Sequence, residues 1–194
     1  MSIRRPLSLL VALACVHSVF AETKPKPIPD PPASITKFAP ENLADFKAFQ
    51  KQTQFIVEKV TPCTVCLRVG AGTGSGVIVS KDGLILTAGH VSGEPGRTID
   101  VVLSNGKIVK GKTLGQYPDM DSGMVKITTE GEWPFVELAK AKEQQRGDWC
   151  IAVGHPGGIK KDRPPVVRVG RLWSVNNKQL LSDCTIVGGD SGGP

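Results

Sequence analysis

The sequence predicts an all-β fold, built as antiparallel barrels or a sandwich, on three observations. Short runs rich in Val, Ile, Leu and Thr recur from Pro62 onward. Turn signals of Gly, Pro, Asn and Asp separate them, and no helical period intervenes. A parallel sheet would need helical crossovers between its strands, which this pattern lacks. The composition agrees: 22 Gly and 15 Pro supply many turns, while 40% apolar residues in a chain of 194 can fill one ordinary domain or two small half-domains. No internal repeat of fixed length is evident.

The chain opens with "MSIRR", a cationic start, followed by "PLSLLVALACVHSVFA", an apolar stretch shorter than the ~20 residues a membrane span needs. Val19 and Ala21 sit where a signal peptidase accepts small residues, so residues 1–21 read as a cleaved export signal, with a retained anchor as the alternative. Residues 22–40, "ETKPKPIPDPPASITKFAP", mix Pro with charged residues and read as an extended, solvated linker. Residues 41–61 hold the one helix candidate. Leu43, Phe46, Phe49, Ile56 and Val60 fall near one helical face, and Asn42 can cap with Asp45 three residues on. We expect this helix to pack on the surface of the domain formed by residues 62–194.

Within that domain the strand candidates are "TVCLRV", "GVIVS", "LILTA", "TIDVVL", "KIVKGKT", "MVKI", "WCIAVG" and "VVRVGRLWSV", toward a total of about ten. The formal charge is +6, and loss of Arg4 and Arg5 with the signal leaves 22 Lys and Arg against 18 Asp and Glu, a balance of +4. The cations are scattered and lack the aromatic interleaving of a nucleic-acid surface, which excludes nucleic acid as the expected partner. Without the signal, no stable membrane association is expected.

Export also bears on the cysteines. Cys15 leaves with the signal; Cys63, Cys66, Cys150 and Cys184 remain, an even set for an oxidising compartment, with three possible pairings. Cys63 and Cys66 have the spacing of a redox motif or half a zinc site, but no second such pair or paired histidines complete a metal set. Structural bridging is the expectation.

Amide hydrolysis at neutral pH needs an activated nucleophile, a base, an orienting anion and donors for the developing oxyanion. "GGDSGGP" places Ser191 among glycines that let the backbone turn sharply and bring bare N–H groups close to a carbonyl. The string also fits the G-x-S-x-G elbow of α/β-hydrolases. In that fold, however, the acid and histidine follow the serine, and here only Gly192, Gly193 and Pro194 do. Partners must lie upstream. His17 goes with the signal, His155 sits in the turn "VGHPGG", and His90 ends the strand "LILTA", where a rigid strand end can hold an imidazole over a cleft. His90 is the preferred base. In "YPDMDSGMVKI", Asp121 precedes a strand and is the preferred acid, with Asp119 as the alternative.

"TAGHV", "DSGMVKI" and "GGDSGGP", in that order and after "GTGSGVIVS", resemble the trypsin-like serine proteases, especially the bacterial HtrA/Deg-like branch, over roughly Pro62 to Pro194. The resemblance implies two Greek-key β-barrels with the catalytic groups at their junction, the second barrel incomplete at the C-terminus because the family's last strands follow the nucleophile. It implies His90 as general base, Asp121 as its orienting acid, Ser191 as nucleophile, and the N–H groups of Gly189 and Ser191 as the oxyanion hole. It implies polypeptide substrates and neither a metal nor a cofactor. Members of this branch often carry a following PDZ domain and form trimers; nothing within these residues shows either.

Two departures matter. Asp190 precedes the serine as in digestive trypsins, where a freed N-terminal amine pairs with it, whereas the HtrA branch commonly has Asn. The "IVGG" at Ile186 to Gly189 runs straight into the nucleophile and is no cleavage-activated start. Asp190 thus lacks an evident partner, leaving exposure or bonding to backbone N–H groups as its options. The position that is acidic in trypsins cutting after Lys or Arg is Thr185 here, followed by Ile186, so the pocket floor is expected to be uncharged and to suit small aliphatic side chains. The expectation is therefore an exported, periplasmic or extracellular serine endopeptidase, read as a fragment of a longer protease. The competing reading is a truncated, inactive protease-like binding module.

Overall fold

The structure is a computed structural model that describes residue 37 and residues 39–140, 143–160, 163–176 and 179–194. The export signal and most of the expected linker lie outside the described residues. The helix α1 runs Leu43–Val60, started by Asn42, whose side chain accepts the N–H of Asp45 at 3.0 Å. Its apolar stripe is only partly used. Phe49 packs on Trp149 with ring centroids 4.7 Å apart, while Leu43 and Phe46 are exposed and the polar Asp45 and Gln52 are buried. The burial of Asp45 has a local cause, since Lys37 pairs with it at 2.9 Å and pulls it down over the cap.

Six strands then close an antiparallel barrel: β1 (Thr64–Val69), β2 (Gly72–Ile78), β3 (Leu84–Ala88), β4 (Thr98–Val102), β5 (Ile108–Tyr117) and β6 (Ser122–Ile127), in the order β1-β2-β3-β6-β5-β4. Closure follows from β1 pairing with both β2 and β4, which leaves no free edge. Period-two alternation fills the interior. Along β5, Val109, Gly111 and Thr113 point inward and Lys110, Lys112 and Leu114 outward. The core gathers Val65, Leu67, Ile78, Ile85, Val101 and Val125, each fully enclosed. Strand β1 breaks the alternation: Thr64 and Cys66, on its outer face, are as buried as Val65 and Leu67, because the second half of the domain covers that face.

That second half is a three-stranded antiparallel sheet of β7 (Trp149–Gly154), β8 (Val166–Val175) and β9 (Leu180–Ser182), in the order β7-β8-β9. The expected helix-free run of strands needs correction at one point. A one-turn helix, α2 (Gly89–Ser92), follows β3, so His90 lies on a helical turn beyond the strand and not at its end. The cause is local. The N–H of Gly89 donates to the carbonyl of Asp121 (2.8 Å) and that of His90 to the Asp121 carboxylate (2.9 Å), which draws the chain off the line of β3.

Candidate active site

His90 and Asp121 are brought into direct contact across 31 residues of sequence. The Asp121 carboxylate lies 2.8 Å (Oδ2) and 3.0 Å (Oδ1) from His90 Nδ1. Asp121 itself has a left-handed backbone (φ 46°, ψ 42°), a conformation that aspartate tolerates better than most residues. There its N–H reaches the Pro118 carbonyl at 3.1 Å while its own carbonyl takes the Gly89 N–H. The hydrogen bonds from the His90 backbone and ring hold the carboxyl below its usual range, so it is ionised at neutral pH. An ionised acceptor at Nδ1 requires the proton to sit there, which leaves the Nε2 lone pair of His90 available as a base. Both side chains are more than half exposed, so solvent screens the pair and it adds little to stability. Asp119, the alternative acid, is exposed on the turn before Asp121.

Ser191 reaches this end of the barrel through main-chain contacts. Its carbonyl accepts the N–H of Ser75 in β2 at 2.8 Å, and the Val153 N–H in β7 donates to the Pro194 carbonyl at 2.8 Å. The loop carrying Ser191 is thus pinned between the barrel and the three-stranded sheet. Gly192, at φ +84°, has no room for a side chain: a Cβ would stand 2.5 Å from the Ser75 carbonyl oxygen and 2.6 Å from the Ala88 nitrogen. Ala88 precedes α2, so the loop abuts the chain two residues before His90. Among the described residues the Ser191 hydroxyl makes no hydrogen bond, and the N–H groups of Gly189 and Ser191 are given to no acceptor. A cleft of about 260 Å3 opens beside His90, lined by Val69, Gly72, Thr73, Val91 and Arg97. Thr185 and Ile186 lie exposed on the segment leading into the loop.

His155 is placed differently. It is 2% exposed beneath the Ser191 loop, with Nε2 bonded to no described group. Burial, aided by the positive charge of Arg163, pushes its pKa below the ordinary imidazole value, so it is neutral, and it makes no hydrogen bond to Asp121.

Two residues at this site carried no role in the sequence reading. Ser75 is fully buried, and its hydroxyl donates to the Gly189 carbonyl (2.7 Å) while accepting the His155 N–H (2.9 Å). Its own carbonyl accepts from the Thr87 hydroxyl at 2.7 Å. A hydroxyl flanked by glycines in an otherwise enclosed strand was the available signal, since such a group must find partners. Arg168, the third residue of β8, pairs with Asp190. Of the two options left for Asp190, exposure is overturned: it is 6% exposed, takes the Val187 N–H at 3.0 Å and is paired with Arg168.

The four cysteines outside the expected signal are all unbridged. Cys150 and Cys184 face each other with 3.9 Å between sulfurs, whereas Cys63 and Cys66 are buried, Cys63 directing its thiol to the Lys59 carbonyl.

Comparison with known proteins supplies the family. Residues 74–194 match the profile described as "Trypsin-like peptidase domain". The chain is 34% identical over 135 residues to the Synechocystis protein named "Putative serine protease HhoB", covering 63% of this chain and 31% of that protein. It is 35% identical over 130 residues to a "Probable periplasmic serine endoprotease DegP-like" of Chlamydia trachomatis (62% of this chain, 25% of that one). It is 29% identical over 158 residues to "Serine protease HTRA1" of Xenopus laevis (72% and 34%). The chain therefore spans between a quarter and about a third of the length of these relatives. With a profile matched over more than half its residues and relatives of this kind, the chain belongs to the trypsin-like peptidase family, on its HtrA/Deg-like branch.

Proposed function

We propose that this chain is the catalytic domain of an exported serine endopeptidase in which Ser191, His90 and Asp121 form a triad. The observation that carries the reading is the His90–Asp121 contact. It fixes the Nδ1–H tautomer and leaves the Nε2 lone pair free, while the chain two residues before His90 abuts a loop whose serine hydroxyl is uncommitted. When substrate binds, Ser191 Oγ attacks the scissile carbonyl as His90 Nε2 takes its proton, a contact that commonly tightens only in the substrate complex. The N–H groups of Gly189 and Ser191 receive the oxyanion. His90 then gives the proton to the leaving amine, and water, deprotonated by His90, hydrolyses the acyl-enzyme. Asp121 stays ionised throughout and stabilises the imidazolium. Thr185 and Ile186 offer an uncharged approach to the pocket, which suits small aliphatic side chains, and β7–β9 belong to the second Greek-key barrel.

The export reading draws on residues 1–21 and on the name of the chlamydial relative. In an oxidising compartment a small disulfide such as oxidised glutathione would take the two hydrogens of Cys150 and Cys184 and leave them bridged, tying β7 to the segment that enters the nucleophile loop. The test of function is turnover of an unfolded polypeptide by the full-length protein. Hydrolysis lost in Ser191→Ala and in His90→Ala supports the triad; hydrolysis retained in either overturns that assignment, and a wild type without hydrolysis favours the inactive binding module.

A further inference from the structure

We propose that Arg168 is a positioning residue for the nucleophile loop, taking through its ion pair with Asp190 the place of an activating N-terminal amine. This rests on the serine-protease reading above. Asp190 stands between the two residues whose N–H groups would receive the oxyanion, so the orientation of its peptide planes sets theirs.

The loop is held at that residue from every side. Arg168 grips the carboxylate as a fork, Nη2 to Oδ2 at 2.9 Å and Nη1 to Oδ1 at 3.1 Å, and the Val187 N–H adds a third donor to Oδ2 at 3.0 Å. The side chains are 17% and 3% exposed, so this pair, unlike His90–Asp121, is closed from water. The Asp190 main chain is fixed too, its N–H to the Val187 carbonyl (3.0 Å) and its carbonyl to the Gly193 N–H (2.9 Å). With these groups committed, the flanking N–H groups of Gly189 and Ser191 remain free.

The grip comes from a rigid element. Arg168 lies within β8, paired across to Ala152 of β7, and the last residue of β7 is Gly154, where a Cβ would come within 2.5 Å of Asp190 Oδ1. The sheet thus provides both the cation and the space for the anion. Without Arg168 the carboxylate is a buried charge with no counter-ion. It must then take up a proton, admit water or swing out, and swinging out turns the peptide groups on both sides of it. A mere brace for the fold would lose stability only; a positioning residue loses turnover while substrate binding persists.

The test compares Arg168→Gln, Arg168→Lys and the double variant Arg168→Gln/Asp190→Asn in the full-length protein. The quantities are kcat and KM for one peptide substrate, measured well below each unfolding midpoint, with Ser191→Ala as the blank. Misplacing reacting groups by an ångström costs about 10²-fold, so Arg168→Gln should lose about that in kcat with KM within about threefold. The double variant strands no charge and keeps an acceptor for Val187, so it should recover about tenfold of that loss, and Arg168→Lys should fall between. Wild-type kcat in a folded Arg168→Gln or in the double variant overturns the proposal; should Arg168→Gln fail to fold, the double variant decides. A wild type lacking Ser191-dependent turnover would instead bring down the enzyme reading itself, so the two failures are told apart.

Discussion

Replacing Ser75 by alanine tests how the two halves of the domain hold the loop that carries Ser191. The substitution removes one oxygen at a site with no solvent access, and that oxygen serves the Gly189 carbonyl at 2.7 Å and the His155 N–H at 2.9 Å. Each such bond contributes about 1 kcal/mol net, and a buried group stranded by its loss costs about 1–3 kcal/mol. These overlap, so the total should be about 2–4 kcal/mol. For a domain of this size that lowers the midpoint of thermal unfolding by about 4–16 °C. The same loss frees the Gly189 peptide beside the proposed oxyanion donors, so acylation of Ser191 should slow by at least about tenfold at a temperature where the variant is folded. The assay pairs a calorimetric melt with the rate of reaction toward a phosphonate probe. A melt changed by less than about 0.5 kcal/mol, the range of ordinary surface substitutions, together with an unchanged rate, would refute the claim that Ser75 ties the halves together.

Three other outcomes are expected. Asp121→Asn should keep the fold but favour the wrong His90 tautomer and cut kcat by about 10⁴-fold; a loss under about tenfold would remove Asp121 from the mechanism. His155 is buried neutral with its pKa below the ordinary 6.5, so the unfolded chain takes up the proton first as pH falls. Stability should therefore decline from pH 6.5 downward and more steeply than in His155→Asn, as read from melts between about pH 7.5 and about pH 5; equal slopes would contradict the assignment. Burial and the neighbouring Cys184 push the Cys150 thiol up to about 11, so bridging under mild oxidant should speed as pH rises toward that value. Intact mass should then show two hydrogens lost, and peptide mapping should join Cys150 to Cys184; a link elsewhere or none would rule the bridge out.

The longer strands were legible because period-two patterning and turn residues coincide. "TVCLRV", "LILTA", "WCIAVG" and "VVRVGRLWSV" stand as β1, β3, β7 and β8 with their bounds unchanged. Strand β9 was missed, since three residues between polar turns carry too little pattern to register as a strand. The helix turn at His90 was missed for a different reason: its bonds come from Asp121, far along the chain, and local propensity does not report them. Long range also hid Arg168. The sequence showed that Asp190 needed a partner, but an arginine in mid-strand looks like any solvated cation until β8 is laid against the loop. His90, Asp121 and Ser191 stand out as candidates because spacing and chain order narrow the chemistry to few residues. Which half of the domain supports each of them had to come from the packing.

The most direct test of the account treats the full-length protein with a fluorophosphonate and locates the adduct by mass spectrometry. A single adduct on the peptide carrying Ser191, formed far more slowly in His90→Ala and absent in Ser191→Ala, is the predicted result. An adduct on another residue, or labelling that proceeds equally well without the His90 imidazole, would contradict it.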